Sequence, residues 1–177
     1  MNQRLQKQIA AMKLVEQLST QVETTSWLWG GFVADIYSGH QLRDHHDLDY
    51  LTHNLFSLLP MLQALLVEAG WETQVVVNGD LTAQRDEVRL HFGHVQDEIA
   101  DDSLSCWIHN GDRGQLRFSR RWLPSDTVSF YAVALHVVAP ALQYTLLQNP
   151  EQLNPAWRPR PQDQMARVVL ESFISAS

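Results

Sequence analysis

A diglycine, followed 16 residues after its second glycine by Asp47-Leu-Asp49, constrains this chain more than any other feature. Trp27 to Trp29 reads as a short apolar strand, and Gly30-Gly31 ends it. Phe32 to Ser38 then forms a helix that Gly39 can stop. His40 to His46 is polar and loop-like, and Asp47 to Leu51 alternates as a strand with one wet and one buried face. Glycines at a strand-to-helix turn let backbone N–H groups approach an anion, and the helix N-terminus adds favourable partial charge. Residues two apart in a strand share a face, so Asp47 and Asp49 stand side by side. Such a pair is costly unless it shares a cation or a proton. A divalent ion answers that need, and oxygen donors favour Mg²⁺ or Mn²⁺. The order therefore sets an anion cradle beside a metal pair, as triphosphate chemistry requires.

The rest of the chain supplies a mixed set of elements. Asn2 to Leu18 has the apolar spacing of an amphipathic helix. Leu55 to Ala69 reads as a helix that Asn54 can cap and Gly70 can close. Trp71 to Val77 is a strand, Asn78-Gly79 a hairpin turn, and Leu81 to Gln84 and Val88 to Val95 an antiparallel continuation. Shorter strands are expected at Leu104 to His109 and Gln115 to Phe118, joined by a turn at Asn110 to Gly114, and through Ala132 to Val138. Pro140 can open a helix to Gln148. Asn149 to Pro161 reads as proline-rich loop and Gln162 to Ile174 as a closing helix. The expectation is an α+β fold in which a mixed sheet is flanked by helices. It forms one domain over residues 1–177, with a core to about 138 and a helical cap from about 139.

Composition narrows the class. No stretch is long and apolar enough to cross a bilayer, and residues 1–16 lack the apolar core of a signal peptide. One cysteine, Cys106, leaves no internal disulfide, so a cytoplasmic location is the default. A net charge of −7 argues against general nucleic-acid binding. It suits a cationic or neutral small partner, or serves solubility alone.

The run from Trp27 to Leu51 resembles the small aminoglycoside and lincosamide adenylyltransferases of the polymerase-β-like nucleotidyltransferase superfamily. Gly30, Gly31, Ala34, Asp35, Gly39, Arg43, His45, Asp47 and Asp49 match that family's pattern in register. A looser likeness continues through the later strands to Pro140 and to Arg160–Asp163. The resemblance implies transfer of a nucleoside monophosphate from a nucleoside triphosphate, ATP by analogy, to a hydroxyl of a small acceptor. Asp47 and Asp49 would hold two Mg²⁺ ions that bridge the phosphates and the attacking oxygen, and Gly30 and Gly31 would cradle the triphosphate. Arg43 would neutralise phosphate charge, while His45 would brace the loop or touch a phosphate. Asp35 is expected to fix the loop from the first helix.

The match breaks at one position. The family supplies a third carboxylate from a later strand, and here that position falls on Arg89. Strand alternation puts Val88, Leu90 and Phe92 in the core and Glu87, Arg89 and His91 on the cleft side. Arginine accepts no proton and repels a metal. Three arrangements follow. Arg89 pairs with Asp47 or Asp49 and leaves a lapsed, metal-free binding or regulatory module; or Glu87 reaches into the site; or His91 serves as base through a neutral imidazole. A separate reading gathers His45, His46, Asp47, His53, His91 and His94 as a transition-metal centre, which needs a convergence that spacing does not show.

Overall fold

The computed structural model describes residues 2–76, 79–97, 103–108, 114–150 and 160–175. Its elements run in chain order as α1 (Gln3–Gln21), β1 (Ser26–Trp29), α2 (Phe32–Ser38), β2 (Asp47–His53), α3 (Leu55–Glu68), β3 (Glu72–Val75), β4 (Leu81–Arg85), β5 (Val88–Asp97), β6 (Ser103–Ile108), β7 (Gly114–Ser119), β8 (Thr127–Phe130), β9 (Val133–His136), α4 (Pro140–Gln148) and α5 (Pro161–Ile174). The predicted turns at Asn78-Gly79 and Asn110–Gly114 and the proline-rich loop lie wholly or mostly outside the described residues.

The fold is α+β. The main sheet has the order β1-β2-β5-β4-β3, and β6 and β7 extend it from the far half of β5. β2 and β5 run parallel; the other pairs are antiparallel. One face is apolar because alternate residues of the central strands are. Leu48, Tyr50, Leu90 and Phe92 are at most 1% exposed, and the Tyr50 and Phe92 rings stack at 5.4 Å. Burial holds the Tyr50 phenol protonated, far above its ordinary range, and its hydroxyl has no hydrogen-bond partner among the described residues. The same alternation turns Asp47 and Asp49 to the opposite face.

Several local expectations are corrected. Asn54 precedes α3 in a left-handed conformation and makes no side-chain cap. The strand expected through Ala132–Val138 is half of a hairpin, β8–β9, whose turn holds Tyr131 and Ala132 at φ of 46° and 63°. That turn was illegible because neither residue is a glycine or asparagine. Among the described residues no helix is long and apolar enough to cross a membrane.

Candidate active site

The diglycine turn is shaped by contact. Gly30 has a φ of 78°, and a Cβ there would lie 2.8 Å from Asp49 Oδ2. A Cβ on Gly31 would meet Arg43 Nη2 at 2.6 Å and His45 Nδ1 at 2.7 Å. The glycines therefore make room for the second carboxylate and for the two basic residues of the following loop. The Gly30 N–H donates to Gln143 Oε1 of α4 at 2.8 Å.

That loop is held rigidly from within. Asp35 on α2 is 1% exposed, and its Oδ2 accepts from the Leu42 N–H at 3.0 Å and pairs with His45 Nε2 at 2.9 Å. The His45 ring is buried and stacks on Phe32 at 3.9 Å. Gln8 of α1 donates to the His45 carbonyl at 2.9 Å. His45 thus braces the loop through Nε2, while the ring borders the cavity beside Gly31.

Arg43 behaves differently. It lines a cavity of about 360 Å³ together with both glycines, Asp47, Asp49 and Arg160. Burial lowers its pKa, and the nearby Arg160 guanidinium lowers it further. Arg160 is itself held by Asp163, through Nε at 3.2 Å and Nη2 at 3.1 Å. Two guanidiniums thus share one small cavity with four carboxylates, Asp44, Asp47, Asp49 and Asp163. Burial raises the Asp47 pKa, Asp49 raises it further, and Arg89 and His46 only partly offset this.

The β5 residues separate. Asp47 stands in register with Arg89, and Asp49 with His91. Arg89 is exposed and makes no ion pair among the described residues, so the expected pairing with the carboxylates does not form. Glu87 does not join the site either. Arg85 pairs with Val88, so Asp86 and Glu87 form the tip of a two-residue hairpin. With Asp86 at φ 53°, strand alternation ends there, and Glu87 pairs with Lys7 of α1 at 3.3 Å. His91 does belong, with Nδ1 at 3.5 Å from Asp49 Oδ1 and Nε2 at 3.3 Å from Asp80 Oδ2. Burial alone would push this imidazole down, but the bonds and charges of Asp49 and Asp80 outweigh it and hold the pKa at about 9. With both carboxylates beside it, the raised pKa does not favour the neutral imidazole expected of a base at this position.

Asp80, 1% exposed, escaped the sequence because its partner comes from a neighbouring strand and no local motif marks it. Gln143 and Arg160 were missed as site residues for the same reason: helices distant in sequence bring them in. Among the described residues, no three His, Cys, Asp or Glu side chains converge as a metal-holding group.

This arrangement has relatives. The family model of aminoglycoside-2''-adenylyltransferase matches residues 11–110. The chain belongs to that family. Among solved structures, the antibiotic-resistance factor ANT(2'')-Ia in solution superposes with a TM-score of 0.68 at 12% identity, over 97% of this chain and 86% of that one. ANT(2'')-Ia in complex with adenylyl-2''-tobramycin gives 0.65 at 14% identity, over 97% and 91%. The lincosamide antibiotic adenylyltransferase LnuA, lincomycin-bound, gives 0.64 at 17% identity, over 90% and 93%. At these identities the superpositions establish the nucleotidyltransferase fold. No curated protein matches by sequence.

Proposed function

We propose that this chain transfers a nucleoside monophosphate from a nucleoside triphosphate, ATP by family analogy, to a hydroxyl of a small acceptor. The observation that carries the reading is the juxtaposition of Asp47 and Asp49 with Gly30, Arg43 and Arg160 around one cavity. The donor set fits one divalent cation. Two hard carboxylates stand adjacent, and the raised Asp47 pKa reflects burial and like charge that a cation would relieve. Asp47 and Asp49 would hold Mg²⁺ or Mn²⁺, which supplies charge neutralisation for the triphosphate. Arg43 and Arg160 bind and orient the phosphates from the cavity wall. Asp35 and His45 keep the loop in place.

In the reaction the acceptor oxygen bonds to the α-phosphorus, the α–β bridging P–O bond breaks, and pyrophosphate leaves. Position 89 offers no carboxylate, so the family's usual proton acceptor is missing there and the hydroxyl proton passes to water. A missing general base costs roughly 10²- to 10⁴-fold, and turnover is accordingly slow. Isothermal titration with ATP and Mg²⁺ tests the binding step. Metal-dependent binding that vanishes in Asp47→Asn supports the reading, and absence of binding under every metal condition sinks it.

Arg89, in register with Asp47, favours a second reading: a nucleotide-binding module without turnover. A pyrophosphate-release screen over aminoglycosides, lincosamides and other polyols separates the two, since a pure binding module stays silent while still binding nucleotide.

A further inference from the structure

The open face of the sheet continues past the carboxylates as two cross-strand rows. One reads Asp47, Arg89, Gln84, Glu72 across β2, β5, β4 and β3; the other reads Asp49, His91, Thr82, Gln74. Cross-strand partners share a face, so each row is a line of neighbouring side chains. The β4 and β3 ends of these rows border a second cavity of about 480 Å³, which Arg89 enters from the carboxylate side. Its other polar lining includes Thr73, Gln74, Thr82 and Gln84, with Glu72 as its one acid. Arg89 has no ion-pair partner among the described residues, although the cavity places it between Asp47 and this polar surface.

We propose that this cavity is the acceptor subsite, and that it selects a hydroxylated small molecule carrying a carboxylate or phosphate, which Arg89 binds. The proposal rests on the nucleotidyl-transfer reading for the adjoining site. Its chemistry follows from the rows. An acceptor lying on β4 and β3 with a hydroxyl toward Asp49 has beside it a guanidinium that makes no ion pair among the described residues and feels Asp47 only at a distance, and a planar fork of donors matches a carboxylate or a phosphate. Thr82, Gln84 and Gln74 offer hydroxyl and amide groups to the remaining hydroxyls. A polycation would meet Arg89 without the lining of acids needed to offset it. The preference for cationic partners suggested by the net charge of −7 describes the whole surface, whereas this cavity sets one guanidinium, Arg89, against one acid, Glu72.

The test uses the full chain with Mg²⁺ and a non-hydrolysable ATP analogue, whose own binding is measured first. Four probes are then titrated: D-glucuronate, D-glucose 6-phosphate, D-glucose and tobramycin. At least one anionic sugar should bind about tenfold or more tightly than glucose, the usual scale of a charge-assisted bond, and tobramycin should bind more weakly than that sugar. Which of the two anions leads identifies the group that Arg89 prefers. Arg89→Gln should bring the anionic sugar down to the level of glucose while leaving the fold intact, because the side chain is exposed. Equal or tighter binding of tobramycin, no binding of either anion, or an anion affinity unchanged in Arg89→Gln would each overturn the proposal. Failure of the ATP analogue to bind, with Arg89-dependent anion binding retained, would instead count against the transfer reading alone.

Discussion

The two sides of the site are built in different ways. On the side proposed to hold the nucleotide, the turn and loop are locked: Gly30 closes on Asp49, Gly31 on Arg43 and His45, and Asp35 ties His45 to the loop backbone. On the side proposed to hold the acceptor, Arg89 stands exposed on a strand and makes no ion pair among the described residues. The locked side keeps the family pattern residue by residue, and the open side departs from it. Changes on the locked side disturb structure and binding together, because its side chains occupy each other's space. Changes on the open side alter chemistry at little structural cost.

That contrast can be broken by substitution. The largest effect is expected from Asp47→Asn, which removes half of the carboxylate pair proposed to bind the cation. Even outlying partners of a metal ligand are worth 10- to 100-fold in affinity, so Mg²⁺-dependent ATP affinity should fall by about 100-fold or more in calorimetry. Asp35→Ala should follow, destabilising the fold by about 3 kcal/mol in denaturant titration, since it strips a buried ring and a backbone N–H of their shared partner. An Asp35→Ala protein of unchanged stability would show that the nucleotide side is not locked as described. Gly30→Ala comes next. The new Cβ meets Asp49 Oδ2 in a left-handed backbone, which costs about 1–2 kcal/mol, and ATP affinity should drop about tenfold as Asp49 moves. By contrast, Arg89→Ala should change stability by less than about 0.5 kcal/mol. A larger loss would erase the difference between the two sides.

A reference point outside both regions comes from α1. Glu16 bonds to His136, Oε2 to Nδ1 at 2.8 Å, and Oε1 accepts from the His136 N–H at 2.8 Å. The Glu16 bond raises the His136 pKa, with burial opposing it. A raised folded pKa gives stability that is complete below the unfolded value, about 6.5, and is lost as pH rises through the folded value. The stability gap between the native chain and Glu16→Gln should therefore narrow from pH 6 upward, measured by chemical denaturation. A gap that widens with pH would contradict the assigned ion pair.

Much of this architecture is legible from sequence, and the boundary of legibility has a physical cause. β1, the diglycine, α2 and β2 follow from local spacing, as does the side-by-side placement of Asp47 and Asp49. Glu87 shows where alternation fails: a period of two holds only while the chain stays extended, and a two-residue turn at Asp86-Glu87 breaks it. The tie from Asp80 to His91, and that from Gln143 to the Gly30 N–H, join segments 11 and 113 residues apart. Only assembly of the sheet and docking of α4 create them. The raised pKa of His91 belongs to the same class, since Asp49 and Asp80 set it from two other segments.

The exposed place of residue 89 on β5 carries a consequence for descent. Its backbone is paired on both sides of the strand, with β2 and β4, whatever side chain it bears. An aspartate or an arginine there would leave that ladder unaltered. Shape and reaction are therefore inherited separately in this protein, and a lineage can exchange one chemistry for another at this position without passing through a chain that fails to fold.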